Sequence, residues 1–153
     1  MPRLRQDVAG NAGVLFVAGE LGRRGLVALP TVRNTEGVDL IVSEPLGGRS
    51  VAVQVKTKQD RSRAWLLTAK SEKLAKPTLF YVFVSLGLPG ELPEFHVVPS
   101  KEVAATIRAD HRAWHRRPGR GGQPHKDNPL RQFSDPKNLH RDKWGVLRLR
   151  MVP

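Results

Sequence analysis

The sequence predicts an α/β (α+β) fold whose core elements follow the order αβββαβ, with a mixed central sheet flanked by helices and a basic C-terminal extension. Three observations support this prediction. Apolar residues recur at helical spacing over 8–24, two β-rich runs over 37–43 and 49–58 flank a turn sequence, and residues 78–86 form an uninterrupted apolar run. Such a run is typical of a strand that is buried on both faces.

The first helix is predicted over residues 8–24. Asp7 is the expected N-cap, and Gly25 is placed to end the helix in a left-handed turn. A short strand over 26–32 follows, in which Pro30 indicates an edge position or a bulge. The apolar stripe that should pack this helix on the sheet consists of Val14, Val17, Ala18 and Leu21.

The second half of the chain gives a less regular pattern. Residues 60–68 are ambiguous between helix and strand, and a short helix over 69–76 is expected to end before Pro77. We expect residues 1–99 to form the core, and residues 100–153 to form a helix and a basic irregular extension packed on the same domain. The later predicted elements are a strand over 94–98, a helix over 101–115 capped by Ser100, an irregular loop over 117–143 and an ordered segment over 144–151.

The composition restricts the class of protein. A length of 153 residues, with 39% of them hydrophobic, is expected for one compact unit. The lack of cysteine excludes disulfide scaffolds, cysteine zinc fingers, Fe–S clusters and thiol nucleophiles. No apolar stretch approaches the ~20 residues of a membrane helix, and the start lacks the apolar core of a signal peptide. We therefore expect a cytoplasmic protein that does not enter membranes.

Positive charge is concentrated in the C-terminal third of the chain. The 26 Lys and Arg residues exceed the 14 Asp and Glu residues, which gives a formal charge of +12. Residues 108–153 hold 12 of the basic residues and only 4 of the acidic ones. Such an excess favours nucleic acid as a partner, because neutralising phosphates releases counterions; a merely solubilising surface is the alternative. A membrane surface is disfavoured, because Pro and Gly interrupt the basic region.

A constellation of polar residues lies on the predicted hairpin. The turn at Pro45–Gly48 sets a register in which Asp39 lies opposite Gln54. Side chains alternate along a strand, so Gln54 and Lys56 share one face. A carboxylate, an amide oxygen and an ammonium group therefore converge, and this arrangement suits an oxygen-ligated Mg²⁺ with a nearby lysine.

Asp39 followed, after fourteen residues, by Gln54-Val55-Lys56 resembles the motif of the PD-(D/E)XK nuclease superfamily, which includes restriction enzymes and archaeal Holliday junction resolvases. The resemblance covers roughly residues 8–86. It implies a nuclease-like core and a metal-dependent endonuclease that hydrolyses DNA phosphodiester bonds. The sequence departs from the motif in two ways, because no Pro precedes Asp39 and because Gln54 stands where Asp or Glu is usual. Gln brings an oxygen but no negative charge, so a lower metal affinity is expected.

The same resemblance implies roles for individual residues. Mg²⁺ or Mn²⁺ would be bound by Asp39, Gln54, the backbone carbonyl of Val55 and a first-helix acid, here Glu20. Lys56 would position the attacking water or neutralise the phosphate. Nucleases of this fold that cut both strands are commonly dimers, so a homodimer is also consistent with the resemblance. The basic residues expected to contact DNA are Lys58, Arg108, Arg112, Arg116, Arg117, Arg120 and Lys126.

Other interpretations of these residues remain open at this stage. Asp39 also fits a strand residue hydrogen-bonded to backbone, and Glu20 also fits a helix residue paired with Arg23 or Arg24. Lys56 and Lys58 also fit an exposed solubilising face. The alternative function is a non-catalytic nucleic-acid-binding module on a degenerate nuclease fold, and a protein-interaction domain is the third candidate.

Overall fold

The computed structural model describes residues 3–32 and 35–152. Within these residues the chain forms two α-helices, seven β-strands and several short 3₁₀ helices, so the predicted α+β class is confirmed. The α-helices are α1 (Gln6–Arg23) and α2 (Ser100–Arg116). The strands are β1 (Val27–Pro30), β2 (Leu40–Ser43), β3 (Ser50–Lys58), β4 (Ala64–Thr68), β5 (Leu79–Ser85), β6 (Glu94–Pro99) and β7 (Leu130–Ser134).

The central sheet is mixed, with five strands in the order β1-β2-β3-β5-β6. β1, β2 and β3 form an antiparallel meander, β3 and β5 are parallel, and β6 returns antiparallel to β5. β5 is buried along its whole length, as its uninterrupted apolar run predicts. Its side chains alternate between two apolar clusters: Val82 belongs to one, and Phe83 belongs to the other.

α1 covers the first of these clusters. Val17 and Leu21 are fully buried, and they join Val53 of β3 in the same cluster. Val14 and Ala18 are partly buried at its margin, so the predicted apolar stripe is confirmed. Burying side chains of this size stabilises the fold by roughly 1.5–3 kcal/mol each, which fixes the helix on this face of the sheet.

The two ends of α1 differ in how well the sequence predicts them. Gly25 has φ +81°, and this left-handed residue allows the Leu26 N–H to donate to the Leu21 carbonyl at 3.1 Å, as expected for a glycine-ended helix. The predicted N-cap is wrong. No side-chain hydrogen bond caps the start of α1, and the Asp7 carboxylate instead accepts hydrogen bonds from the Arg5 guanidinium.

A two-stranded ribbon of β4 and β7 lies over the other cluster. The sequence predicts neither strand clearly, because β4 falls in the ambiguous segment and β7 falls in the predicted irregular loop. In β7 the apolar residues Leu130 and Phe133 do not alternate, which hides the strand signal. Phe133 is nevertheless buried, and its ring stacks on that of Phe83 with centroids 4.5 Å apart. Tertiary packing therefore decides the conformation of this segment.

α2 packs beside the ribbon and buries Val103 and Ile107 in the same cluster. The expected N-cap of α2 is wrong, because the buried Ser100 hydroxyl bonds to the backbone of Lys76 instead, accepting from its N–H at 2.9 Å and donating to its carbonyl at 2.8 Å. The short helix predicted over 69–76 is a 3₁₀ helix, Ala69–Lys73.

The C-terminal extension is docked on β6 through a buried hydrogen bond between His96 and Asp135. His96 and Asp135 are 0% and 2% exposed, and His96 Nδ1 lies 2.7 Å from Asp135 Oδ2. Asp135 also accepts the backbone N–H groups of Leu139 at 2.8 Å and His140 at 3.0 Å. Further along, Trp144 is 2% exposed and completes the cluster under α1. In the described part of the chain, neither helix has the length and hydropathy to span a bilayer.

Candidate active site

The β2–β3 hairpin brings Asp39 and Gln54 together. Leu40 pairs with Val53 in the ladder, so the next pair outward is Asp39 and Gln54. The Asp39 N–H donates to the Val53 carbonyl at 2.8 Å, and Gln54 Nε2 donates to Asp39 Oδ2 at 2.7 Å. The register predicted from the turn is therefore confirmed.

Asp39 also contacts the open edge of β3. Because β2 begins at Leu40, β3 beyond Gln54 has no ladder partner on that side among the described residues. The Val55 N–H, which is exposed at this edge, donates to the same Asp39 Oδ2 at 2.7 Å. The N–H and carbonyl of one strand residue point to the same edge, so the Val55 carbonyl also faces this opening.

Three kinds of oxygen are thus available at the open edge: the second carboxylate oxygen of Asp39, the Gln54 amide oxygen and the Val55 carbonyl. These are hard donors of the kind that Mg²⁺ and Mn²⁺ prefer. Within residues 3–32 and 35–152, no three His, Cys, Asp or Glu side chains are grouped to hold a metal ion. A metal at this edge would therefore depend on the amide and carbonyl oxygens beside Asp39.

The turn that delivers Asp39 requires a glycine. Gly37 has φ +73°, in the left-handed region that disfavours other residues. A Cβ at this position would lie 3.4 Å from Leu74 Cδ1 and 3.9 Å from Gln54 Oε1. Gly37 therefore lets the backbone pass close to the Gln54 amide two residues before Asp39.

Lys56 and Lys58 extend from the same face of β3 and line the same open groove, but Lys58 is paired with Asp60 and Lys56 forms no ion pair within the described residues. The Lys58 side chain is 12% exposed; its ammonium group lies 3.1 Å from Asp60 Oδ1, contacts Ser62, and sits 4.5 Å from the ring centroid of Trp65. Burial lowers the pKa of Lys58, although the hydrogen bond to Asp60 opposes this. Lys56 has no ion pair within the described residues and lines an open groove. Lys58, expected to contact DNA, is instead held by the protein.

The groove beside Lys56 has a volume of about 830 Å³. Its walls are the first turns of α1, the free end of β3 and strand β4. Arg3 and Gln6 line it, and neither was predicted, because nothing local in the sequence shows that the start of α1 lies beside the end of β3. The other residues that line the groove are Leu4, Ala9, Gly10, Val55, Thr57, Lys58, Gln59, Asp60, Ala64, Trp65, Leu66, Leu67, Thr68 and Leu130.

A comparison of folds places this arrangement among known proteins. The structure is similar to that of a bacterial homing endonuclease, with a TM-score of 0.55 and 14% sequence identity, over 94% of this chain and 92% of that chain. The chain shares the fold of that protein. At this level of identity the likeness concerns the fold alone. No protein-family model matches the sequence, and no curated protein matches it.

Glu20 lies apart from the hairpin site of this endonuclease fold. Its carboxylate accepts hydrogen bonds from Arg24 at 2.9 Å and Arg23 at 3.4 Å. α1 packs on the face of β3 that Val53 occupies, whereas Gln54 extends from the opposite face. The structure therefore gives Glu20 the ion pairs with Arg23 and Arg24 that the sequence also allows, and it does not bring Glu20 together with Gln54.

The remaining basic residues that are expected to contact DNA fall into two groups. Arg108 is engaged by the protein, because its Nη2 donates to the Glu72 carbonyl at 2.9 Å. The others are exposed and form no ion pair within residues 3–32 and 35–152. They lie on the last turns of α2 and the segment that follows: Arg112, Arg116, Arg117, Arg120 and Lys126.

Proposed function

We propose that this protein is a metal-dependent endonuclease that hydrolyses DNA phosphodiester bonds at the open edge of β3. The observation that supports this proposal is the convergence of Asp39, Gln54 and the Val55 backbone beside Lys56. The fold shared with a homing endonuclease is consistent with it. The arrangement matches the PD-(D/E)XK pattern in its Gln-x-Lys form.

The donors at this edge fit a divalent ion. Asp39 supplies one charged oxygen, Gln54 supplies an amide oxygen and Val55 supplies its carbonyl, all of which suit Mg²⁺ or Mn²⁺. The Gln54 amide presents its nitrogen to Asp39, so its side chain must rotate to offer oxygen to an ion. When bound, a divalent ion would lower the pKa of a coordinated water and neutralise charge on the phosphate.

The protein's own residues supply positioning and further charge. Lys56 lies in the groove with its ammonium group unpaired among the described residues, so it can neutralise the scissile phosphate or orient the attacking water. Arg3 also lies at the groove wall, where its guanidinium is 3.9 Å from Asp60 Oδ2. The Val55 N–H keeps Asp39 fixed in orientation, because this backbone group still donates to Asp39 Oδ2 after the Gln54 amide has rotated.

Binding of the DNA backbone is assigned to the exposed basic residues after the middle of α2. Each phosphate neutralised by Lys or Arg contributes about 0.9 to the slope of log K against log salt. Replacing Arg116, Arg117 and Arg120 together by Ala should therefore lower the slope by about 3 units at most. Lys58→Ala provides the matched control, because its ammonium group already contacts Asp60 and should leave the slope unchanged.

A non-catalytic DNA-binding module is the second candidate, and Gln54 is the observation that favours it. Gln54 replaces the acid of the motif, so Asp39 is the carboxylate that the hairpin site supplies. Among the described residues, no three His, Cys, Asp or Glu side chains are grouped to hold a metal ion. A site with so little negative charge would bind a divalent ion weakly in the absence of DNA.

The experiment is a cleavage assay on duplex, single-stranded and branched DNA with Mg²⁺, Mn²⁺ or EDTA, combined with gel-shift measurements on the same preparations. We expect cleavage with either metal and none in EDTA. Salt-sensitive binding without cleavage under any condition would establish the binding module. If the protein neither binds nor cleaves DNA, the result would favour a protein-interaction domain.

A further inference from the structure

A second pocket, of about 340 Å³, lies between the C-terminal half of α2 and the β4–β7 ribbon. It has the size of a small-molecule site and combines apolar walls with a few polar groups. The residues that line it are Leu66, Asp110, His111, Trp114, Asn128, Leu130, Arg131 and Gln132. None of them is a proposed metal ligand or catalytic group, although Leu66 and Leu130 also line the groove beside Lys56.

Trp114 gives this pocket an aromatic wall. Trp65 and Trp144 are each 2% exposed and belong to the cores, whereas Trp114 is only partly buried. Its indole ring stacks on the His125 imidazole with centroids 4.1 Å apart and an interplanar angle of 23°. The His111 ring lies beside it at 5.4 Å. A flat ring entering the pocket would therefore meet aromatic surface already held in place.

The charges in the pocket favour a neutral ligand over a phosphate. The Arg131 side chain is 8% exposed, and its guanidinium is already bound by the Glu72 carboxylate and the Asn128 carbonyl. Asp110 is exposed and forms no ion pair within residues 3–32 and 35–152. Its carboxylate accepts hydrogen bonds but repels anions. A heterocycle that carries N–H donors matches these groups better than a phosphate does.

Two exposed leucines connect this pocket with the active-site groove. Leu66 and Leu130 are 71% and 58% exposed, and both line the pocket and the groove. They lie on the outer face of the ribbon, because Trp65, Leu67 and Phe133 occupy the buried face. Exposed apolar side chains at this position would contact the bases of a nucleic acid that runs along the groove.

We propose that this pocket binds a single nucleobase that has left the DNA stack, with Leu66 and Leu130 contacting the gap beside it. The inference rests on the proposed function, since it assumes that DNA lies in the groove. It assigns a substrate class to that function: DNA with an unpaired or readily displaced base next to the cleaved bond.

The test compares two duplexes of equal length in EDTA, one fully paired and one with a single bulged 2-aminopurine. We expect the wild-type chain to bind the bulged duplex about 10-fold more tightly, the gain from one base–aromatic stack. Trp114→Leu should remove this preference while keeping the apolar bulk. Leu66→Ser should reduce it, and Leu92→Ser, at a leucine that is 85% exposed but distant in the chain, is the matched control.

A second measurement does not require DNA. Free 2′-deoxyguanosine should quench the emission of Trp114, the tryptophan that is accessible to solvent. Equal binding of both duplexes, an unchanged preference in Trp114→Leu, or the absence of quenching would overturn the proposal. If the protein cleaves DNA but shows no preference for the bulged duplex, only the inference about the pocket is overturned. If it shows quenching and bulge preference but never cleaves, only the catalytic proposal is overturned.

Discussion

Asp39 and Asp135 are both carboxylates that receive several hydrogen bonds, but they differ in what remains available. Asp135 is 2% exposed, and its two oxygens bind His96 and the N–H groups of Leu139 and His140. At Asp39 one oxygen receives both Gln54 Nε2 and the Val55 N–H, and the other has no hydrogen-bond partner among the described residues. The comparison separates a carboxylate that holds the fold together from one that can still bind a ligand.

The largest expected effect concerns the carboxylate at the open edge. Asp39→Ala should lower the rate of metal-dependent cleavage by about 10³-fold or more, which corresponds to about 4 kcal/mol. DNA binding should be kept, because removing a negative charge near the phosphate does not weaken it. The control is Asp142→Ala, at an exposed carboxylate of the C-terminal extension. Cleavage by Asp39→Ala at a rate within about 10-fold of wild type would remove the distinction drawn between the two aspartates.

Replacing Asp135, whose two oxygens are both hydrogen-bonded, should lower the stability of the fold. Asp135→Ala leaves the buried His96 ring and two backbone N–H groups without an acceptor, and we expect the free energy of unfolding to fall by about 3 kcal/mol. Chemical denaturation measures this loss. Turnover per folded molecule should be unchanged, and a loss below about 1 kcal/mol would contradict the structural role.

The same pair predicts how stability depends on pH. Burial lowers the pKa of His96 below its ordinary 6.5. Burial also raises the pKa of Asp135, but hydrogen bonds from His96 and the N–H groups of His140 and Leu139 outweigh this and lower it. The unfolded chain therefore binds more protons, so stability is full above the ordinary His pKa and falls as the pH drops below it. His96→Gln should flatten the decrease in melting temperature between about pH 7 and pH 5.

Lys56 and Lys58 offer the same comparison on one strand. Lys56→Ala should lower turnover by about 10²-fold, as expected for the loss of one charge that stabilises the transition state, with little change in melting temperature. Lys58→Ala should lower the free energy of unfolding by about 1 kcal/mol through its lost contacts with Asp60 and Trp65, with little change in turnover. The opposite pattern of effects would show that Lys58, and not Lys56, contacts the substrate.

The smallest effect is expected at Gln54, where the sequence departs from the motif that it resembles. Gln54→Glu adds a second carboxylate beside Asp39 and should tighten Mg²⁺ binding by about 10-fold, measured by calorimetry. Without metal the two carboxylates repel each other, so the melting temperature should fall in EDTA and recover when Mg²⁺ is added. Unchanged Mg²⁺ affinity would show that residue 54 is not a ligand.

The parts of the site predicted correctly from the sequence depend on local geometry. A four-residue turn and the alternation of side chains are enough to place Asp39 opposite Gln54. For Glu20 and Lys58 the structure adds an ion pair with a charged neighbour within four residues, which a resemblance does not reveal. In each case the local ion pair neutralises the side-chain charge without a ligand.

The parts that were missed depend on contacts between distant segments. The sequence of β7 lacks the alternation of apolar and polar residues that is typical of a strand. The segment forms a strand because it pairs with β4 and because the Phe133 ring stacks on Phe83. Arg3 and Gln6 line the groove because α1 begins beside the end of β3. His96 and Asp135 meet across 39 residues. No periodicity in the sequence encodes these approaches, since they follow from the complete packing of the domain.

The pairing of β4 with β7 also has a consequence for the order of folding. The hairpin that carries Asp39 and Gln54 is closed by a short turn, so it can form early and from nearby residues. The ribbon joins Ala64–Thr68 to Leu130–Ser134, and contacts of such sequence separation form slowly because a long loop must close first. On the ribosome the hairpin that carries Asp39 and Gln54 can therefore assemble early, whereas the β4–β7 ribbon must wait until residues 130–134 have left the exit tunnel.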